Sequence, residues 1–114
     1  MLNNINIAGN LGEDPNSFFT PNEGTHIVTF NLAFNSYKDK VGWIKIKCFN
    51  KLAEVAEKYL SKGARIAVTG RLEQNSWETE SGEKRTAFSI TASEIEFIRT
   101  SKQNAESNTD DIPF

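Results

Sequence analysis

The sequence holds one cysteine, Cys48, and one histidine, His26. A lone cysteine excludes an internal disulfide framework. The pair falls short of the clustered sulfur and nitrogen ligands that zinc takes, so no metal site is expected. No Walker loop and no paired-glycine phosphate cradle occurs. Carboxylates are scattered, and Glu94 and Glu96 read as a solvated strand edge rather than an acid–base pair. These absences argue against an enzyme and against a bound cofactor. No apolar run approaches the roughly 18 residues of a membrane span. Met1 to Gly12 has neither a basic region nor a signal-peptide core. The expectation is a cytoplasmic protein that contacts no membrane.

Excess positive charge is missing as well. The formal net charge is −2 over 114 residues, a length that suits one domain plus a short extension. Residues 1–98 carry eleven Lys and Arg against twelve Asp and Glu, and the remainder carries two against three. Nucleic-acid binders usually show a basic excess. If this chain binds nucleic acid, local arrangement has to supply what bulk charge does not.

What is present is alternation. Residues 3–11 read as a strand, with Ile5, Ile7 and Leu11 on one parity. Pro15 and Pro21-Asn22-Glu23-Gly24 mark turns. Residues 27–37 form a second strand with Val28, Phe30, Leu32 and Phe34 on one face. Residues 41–49 form the third and most informative strand. Successive side chains of a strand point to opposite faces. Ile44, Ile46 and Cys48 therefore make an apolar core face, while Trp43, Lys45, Lys47 and Phe49 share the other.

Residues 50–61 switch to helical spacing, with Leu52, Val55, Ala56, Tyr59 and Leu60 on one side. Asn50 suits the N-cap and Gly63 the C-terminal stop. Alternation resumes over 64–74, with Ile66, Val68 and Leu72 inward. Ser81-Gly82 reads as the tip of a hairpin whose arms include Trp77 and Arg85. The last strand, about 86–98, starts with Phe88 and Ile90 on even positions and ends with Ile95 and Phe97 on odd ones, which implies a bulge or a bend. Phe18, Phe19, Phe30, Phe34, Phe88 and Phe97 are assigned to the core. Three strands, one helix and two strands, all-β apart from that helix, is the order of a five-stranded Greek-key OB barrel with its helix between strands three and four.

The aromatic residues off the core face carry the functional reading. Trp43 and Phe49 flank Lys45 and Lys47; Tyr37 ends the preceding strand; Trp77 stands in the hairpin arm. Unpaired bases need flat π surfaces to stack on, and their phosphates need cations alongside. An aromatic face that meets another protein, or one that meets RNA, remains an alternative at this point. The chain closes on Asp110-Asp111-Ile112-Pro113-Phe114, a small hydrophobic hook with its own carboxylate beside two acids. Pockets can capture such a C-terminus. Residues 99–109 before it show no periodicity and read as a disordered spacer.

Several stretches together resemble the bacterial-type single-stranded DNA-binding proteins, the SSB family. They are Gly9-Asn10-Leu11-Gly12 with Asp14-Pro15, Pro21-Asn22 with Gly24, and Trp43. Then come Phe49 with Lys51-Leu52-Ala53-Glu54-Val55-Ala56, Tyr59-Leu60 with Lys62-Gly63, Gly70-Arg71-Leu72, Trp77 with Ser81-Gly82, and Asp110 to Phe114. The resemblance spans nearly the whole chain in order. It implies an OB-fold DNA-binding domain over 1–98, the spacer over 99–109 and a partner-binding motif over 110–114. It further implies a nucleoid-associated homotetramer that binds single-stranded DNA, and recruitment of replication, recombination and repair proteins by Asp110, Asp111, Ile112, Pro113 and Phe114. Base stacking falls on Tyr37, Trp43, Phe49 and Trp77, and phosphate contact on Lys45, Lys47, Arg65, Arg71, Lys84 and Arg85. Two departures stand out. Glu73-Gln74-Asn75-Ser76 replaces the basic residues often found before the arm tryptophan. The spacer is also short, reaching about 35–40 Å when fully extended.

Overall fold

Alternating apolar residues build the strands of the protein, whose computed structural model describes residues 2–99. In chain order these are β1 (Ile5–Leu11), β2 (Asn16–Phe19), β3 (His26–Asn35), β4 (Val41–Phe49), α1 (Asn50–Tyr59), β5 (Arg65–Glu78) and β6 (Lys84–Arg99), with a 3-10 turn at Tyr37–Asp39. The sheet runs β1-β5-β6-β4-β3-β2, and β1 also pairs with β3. That extra pairing closes β1, β5, β6, β4 and β3 into a five-stranded barrel. The β4–β6 pairing is parallel and the others are antiparallel. This is an OB fold, with α1 between the third and fourth barrel strands as the periodicity predicts.

The core follows the parity of β3, β4 and β5. Phe30, Leu32, Ile46, Ile66, Val68 and Ile90 are fully buried. Ala53 and Ala56 of α1 are sealed against them, and Tyr59 sets its ring edge-on to Phe97 at 5.9 Å between centroids. The helix therefore plugs the barrel. Its start differs from expectation. Asn50 has φ of +56° and makes no capping bond, because Phe49 occupies the N-cap position. The chain turns sharply from strand to helix there, and asparagine is among the residues that tolerate the left-handed region. The helix also ends at Tyr59, before Gly63, whose N–H donates instead to the Leu11 carbonyl at 2.9 Å.

The parity change in the last strand is real. Thr69 pairs with Glu94 but Gly70 pairs with Ala92, which leaves Ser93 as the extra residue of a bulge. The Ser93 hydroxyl donates to the Thr69 carbonyl at 3.0 Å. Gly70 is required at this bend: a β carbon there would lie 2.2 Å from the Thr91 carbonyl oxygen. Beyond the bulge β5 and β6 continue as a two-stranded arm. It turns at Thr79–Glu83, where the Thr79 N–H donates to the Glu83 carbonyl and Gly82 takes φ of +87°.

Five core assignments are corrected; the first is Phe34, which is only half-buried and lays its ring over Gly42, outside the core cluster. Phe18 and Phe19 lie on β2, a four-residue edge strand absent from the sequence reading, and both are exposed. Phe88 and Leu72 are also exposed, at the point where the β4–β6 pairing ends at Ser89 and β5 and β6 continue as an arm. His26 is buried instead. Ser17 Oγ lies 2.7 Å and Glu57 Oε1 3.5 Å from its Nε2, and Phe19 stacks on its ring at 4.5 Å. The imidazole thus ties β2 and α1 to β3. Among the described residues no helix is long and apolar enough to cross a membrane. Arg99, read as the start of the spacer, instead ends β6 in register with Arg65; the rest of that 99–109 stretch and the Asp110–Phe114 motif lie outside the described residues.

Candidate nucleic-acid interface

Cross-strand partners project from the same face of a sheet, so the register assembles the outer surface row by row. Trp43 pairs with Ala33, Asn10 follows on β1, and Arg65 follows on β5. Lys45 lies between Asn31 and Ser89, with Glu73 beyond. Lys47 lies in a row of five: Asn16, Thr29, Lys47, Thr91 and Arg71. Phe49 pairs with Ile27, and Ile27 with Phe18. Trp77 and Arg85 pair on the arm, on the parity of Arg71 and Glu73. One continuous face therefore unites Trp43, Lys45, Lys47, Phe49, Arg71 and Trp77.

The predicted stacking residues are open to solvent. Relative exposure is 80% for Tyr37, 60% for Trp43, 51% for Trp77 and 37% for Phe49. Local structure positions two of them. Trp43 lies against Gly12, where a β carbon would sit 2.3 Å from Cζ3 of the indole. Tyr37 opens the 3-10 turn between β3 and β4, in which Lys38 and Asp39 adopt φ of 59° and 61°. The Lys38 ammonium lies 5.6 Å from the Tyr37 ring centroid, within cation–π range. Both the strand rings and the turn ring thus have cations beside them.

The predicted phosphate residues separate into three groups. Among the described residues Lys45 and Lys47 make no ion pair, although the Lys47 charge acts on nearby Glu73. The arginines are partly engaged. Arg65 donates to Asn10 Oδ1 at 2.8 Å, Arg71 Nε lies 3.4 Å from Glu73 Oε2, and Arg85 lies 3.3 Å from Glu83. Lys84 pairs with Glu78 on the parity opposite to Trp77, so the register does not bring it to the aromatic face.

Glu73 places one carboxylate among these cations. The Thr91 hydroxyl donates to its Oε1 at 2.7 Å. That bond, with the nearby charges of Arg71 and Lys47, holds the Glu73 carboxyl below its ordinary 4.5 despite some desolvation. The acid therefore stays ionised at neutral pH and offsets part of the positive charge. The described residues contain no group of His, Cys, Asp and Glu side chains placed to hold a metal ion.

Sequence reasoning missed Phe18. It is 43% exposed and shares the outer row with Phe49. The one available signal was conditional: in a strand, neighbouring residues face opposite ways, so Phe18 and Phe19 could not both enter the core, but four residues are too few to announce the strand.

Residues 2–98 match the Single-strand binding protein family. Among curated proteins, Single-stranded DNA-binding protein 2 of Chlorobaculum tepidum is 33% identical over 113 residues, covering 92% of this chain and 76% of its own length. The Single-stranded DNA-binding protein of Helicobacter hepaticus is 36% identical over 116 residues, covering 95% of this chain and 67% of its own. A solved Plasmodium falciparum SSB in complex with ssDNA superposes with a TM-score of 0.76 at 26% identity, over 86% of this chain and 96% of that one.

Proposed function

The chain belongs to the single-strand binding protein family, and from that premise we propose that it binds single-stranded DNA without reading base sequence. The observation that carries this reading is the outer face of β4, where Trp43 and Phe49 stand exposed with Lys45 and Lys47, which make no ion pair among the described residues, between them. Bases stack on the two rings, and every base has a π face, so stacking tolerates any sequence. The lysines neutralise phosphates and release counterions, which makes binding weaken as salt rises. Tyr37 and Trp77 extend the stacking surface at the β3–β4 turn and on the arm. Arg65, Arg71 and Arg85 contribute less per residue, because each is already engaged by Asn10, Glu73 or Glu83. The protein acts by binding alone, with no chemical step.

Two further parts of the reading rest on family resemblance. The chain assembles as a homotetramer, and Asp110–Phe114 recruits replication, recombination and repair proteins. Phe114 enters a partner's apolar pocket while Asp110 and Asp111 meet a basic rim. Pro113 limits the entropy lost on docking.

The test is a titration of tryptophan emission with oligo-dT, competed in turn by duplex DNA and by an RNA oligomer. Quenching that duplex does not reverse and that salt weakens is the expected result. An RNA oligomer that competes as well as DNA would move the reading to RNA, since the 2′-hydroxyl is what a DNA-selective site rejects. No quenching and no mobility shift would leave the aromatic face as a protein-docking surface. For the tail, removing Phe114 should abolish partner pull-down while DNA affinity is retained.

A further inference from the structure

The interface does not stop at β4. Phe49 pairs across β3 with Ile27, and Ile27 pairs with Phe18 on β2, so one apolar row leads off the end of the Trp43–Phe49 face. Neighbouring strands are about 4.8 Å apart, which places Phe18 two strands and roughly 10 Å from Phe49. The next row runs beside it in the same direction and carries Lys47, Thr29 and Asn16. Apolar surface thus continues alongside a cation and hydrogen-bonding side chains as far as the edge of the sheet.

Nothing in the fold demands an aromatic at Phe18. Its neighbour Phe19 has a structural role, stacking on the buried His26, whereas Phe18 projects from the opposite face and is 43% exposed. Among the described residues β2 is an edge strand that pairs only with β3. Exposed apolar surface continuous with a binding face marks further binding surface.

We propose that Phe18, seated on Ile27, is an additional base-stacking site, and that single-stranded DNA passing Phe49 leaves the barrel across β3 and β2. This rests on the single-stranded DNA reading above. A nucleotide beyond Phe49 lays its base on the Phe18 ring, while its phosphate stays on the side of Lys47. Charge and continuity favour this occupant. The flanking row carries a lysine and neutral polar groups, so it attracts a phosphate backbone.

The experiment compares oligo-dT of about 5 and about 15 nucleotides, the span of site sizes for one OB barrel. Labelled-oligonucleotide anisotropy follows binding to the wild type and to Phe18→Ala. A second variant, Trp43→Phe/Trp77→Phe/Phe18→Trp, leaves a single indole, on β2, as a local reporter. Expected are an about five- to tenfold loss for Phe18→Ala on the long oligomer, the low end of one stacking contact, with a smaller loss on the short one. The emission of the β2 reporter should be quenched by the long oligomer. If anisotropy shows the long oligomer bound while the reporter emission and the Phe18→Ala affinity are unchanged, the subsite is overturned and the DNA reading stands. A Phe18→Ala variant that binds DNA normally but changes sedimentation would make this row a contact between copies instead, also overturning it. Absence of any DNA binding would remove the parent reading and this one together.

Discussion

Trp43 occupies the space above Gly12. A β carbon on residue 12 would lie 2.3 Å from Cζ3 and 2.6 Å from Cη2 of the indole. Glycine there lets the ring rest against the barrel wall with most of its surface open. The glycine and the exposed ring are thus one feature of the proposed site, although 31 positions separate them in sequence.

Gly12→Ala should therefore displace the indole without unfolding the protein, because a side chain rather than backbone has to give. The expected outcome is a changed tryptophan emission maximum and about three- to tenfold weaker oligo-dT binding, part of one stacking interaction. Urea unfolding should show a loss below about 1 kcal/mol, within the ordinary range for a surface substitution. Unchanged emission and affinity would show that the ring is not held there.

Gly70→Ala meets backbone instead. The added carbon would lie 2.2 Å from the Thr91 carbonyl oxygen, next to the Ser93 bulge. Relief requires β5 and β6 to separate where the barrel bends. Overpacking of this kind costs about 1–3 kcal/mol, and the rigid neighbour puts this site at the upper end. Urea denaturation checks it, with a lower midpoint expected at unchanged slope.

Glu73 yields a prediction about pH. The Thr91 hydroxyl first, and then Arg71 and Lys47, hold its carboxyl below the ordinary 4.5. A depressed folded value means that its stabilising contribution is present above pH 4.5 and is lost as pH falls through the folded value. Carboxyl NMR titration should place Glu73 below free glutamate, and Thr91→Val should return it toward 4.5. A value at or above 4.5 in the native protein would contradict the arrangement.

Cys48 behaves in the opposite sense. Burial on the core face of β4 pushes its thiol from 9.0 up to about 12. The folded state then favours the protonated thiol more than the unfolded state does. That contribution is complete below pH 9.0 and is lost as pH rises toward 12. Alkylation at about pH 9, where a free thiol is reactive, should proceed only as fast as the protein unfolds. Rapid labelling of native protein would show that the site is open.

The sequence made β4 legible in full, because its apolar parity and its mixed aromatic–basic parity never cross. The parity change between Ile90 and Ile95 likewise announced the Ser93 bulge. Other features resisted for physical reasons. β2 is only four residues long and sits at an edge, too short to establish a period. Phe88 and Leu72 have the parity of core residues, but sequence does not say where the barrel ends and the free arm begins. Asn50 has the chemistry of an N-cap, yet the strand-to-helix turn uses it for its backbone. The candidate site was visible as a set of side chains. The pairing that joins Arg71 to Lys47, or carries Phe49 to Phe18, depends on strand order and register.

The most direct measurement is an equilibrium titration of oligo-dT against the wild type and Trp43→Ala at matched salt, repeated over a salt series. Trp43→Ala should weaken binding by about 1–3 kcal/mol, the range for one stacked base. The slope against salt should stay the same, because no cation is removed. Equal affinity of the two proteins, with both bound, would contradict the account.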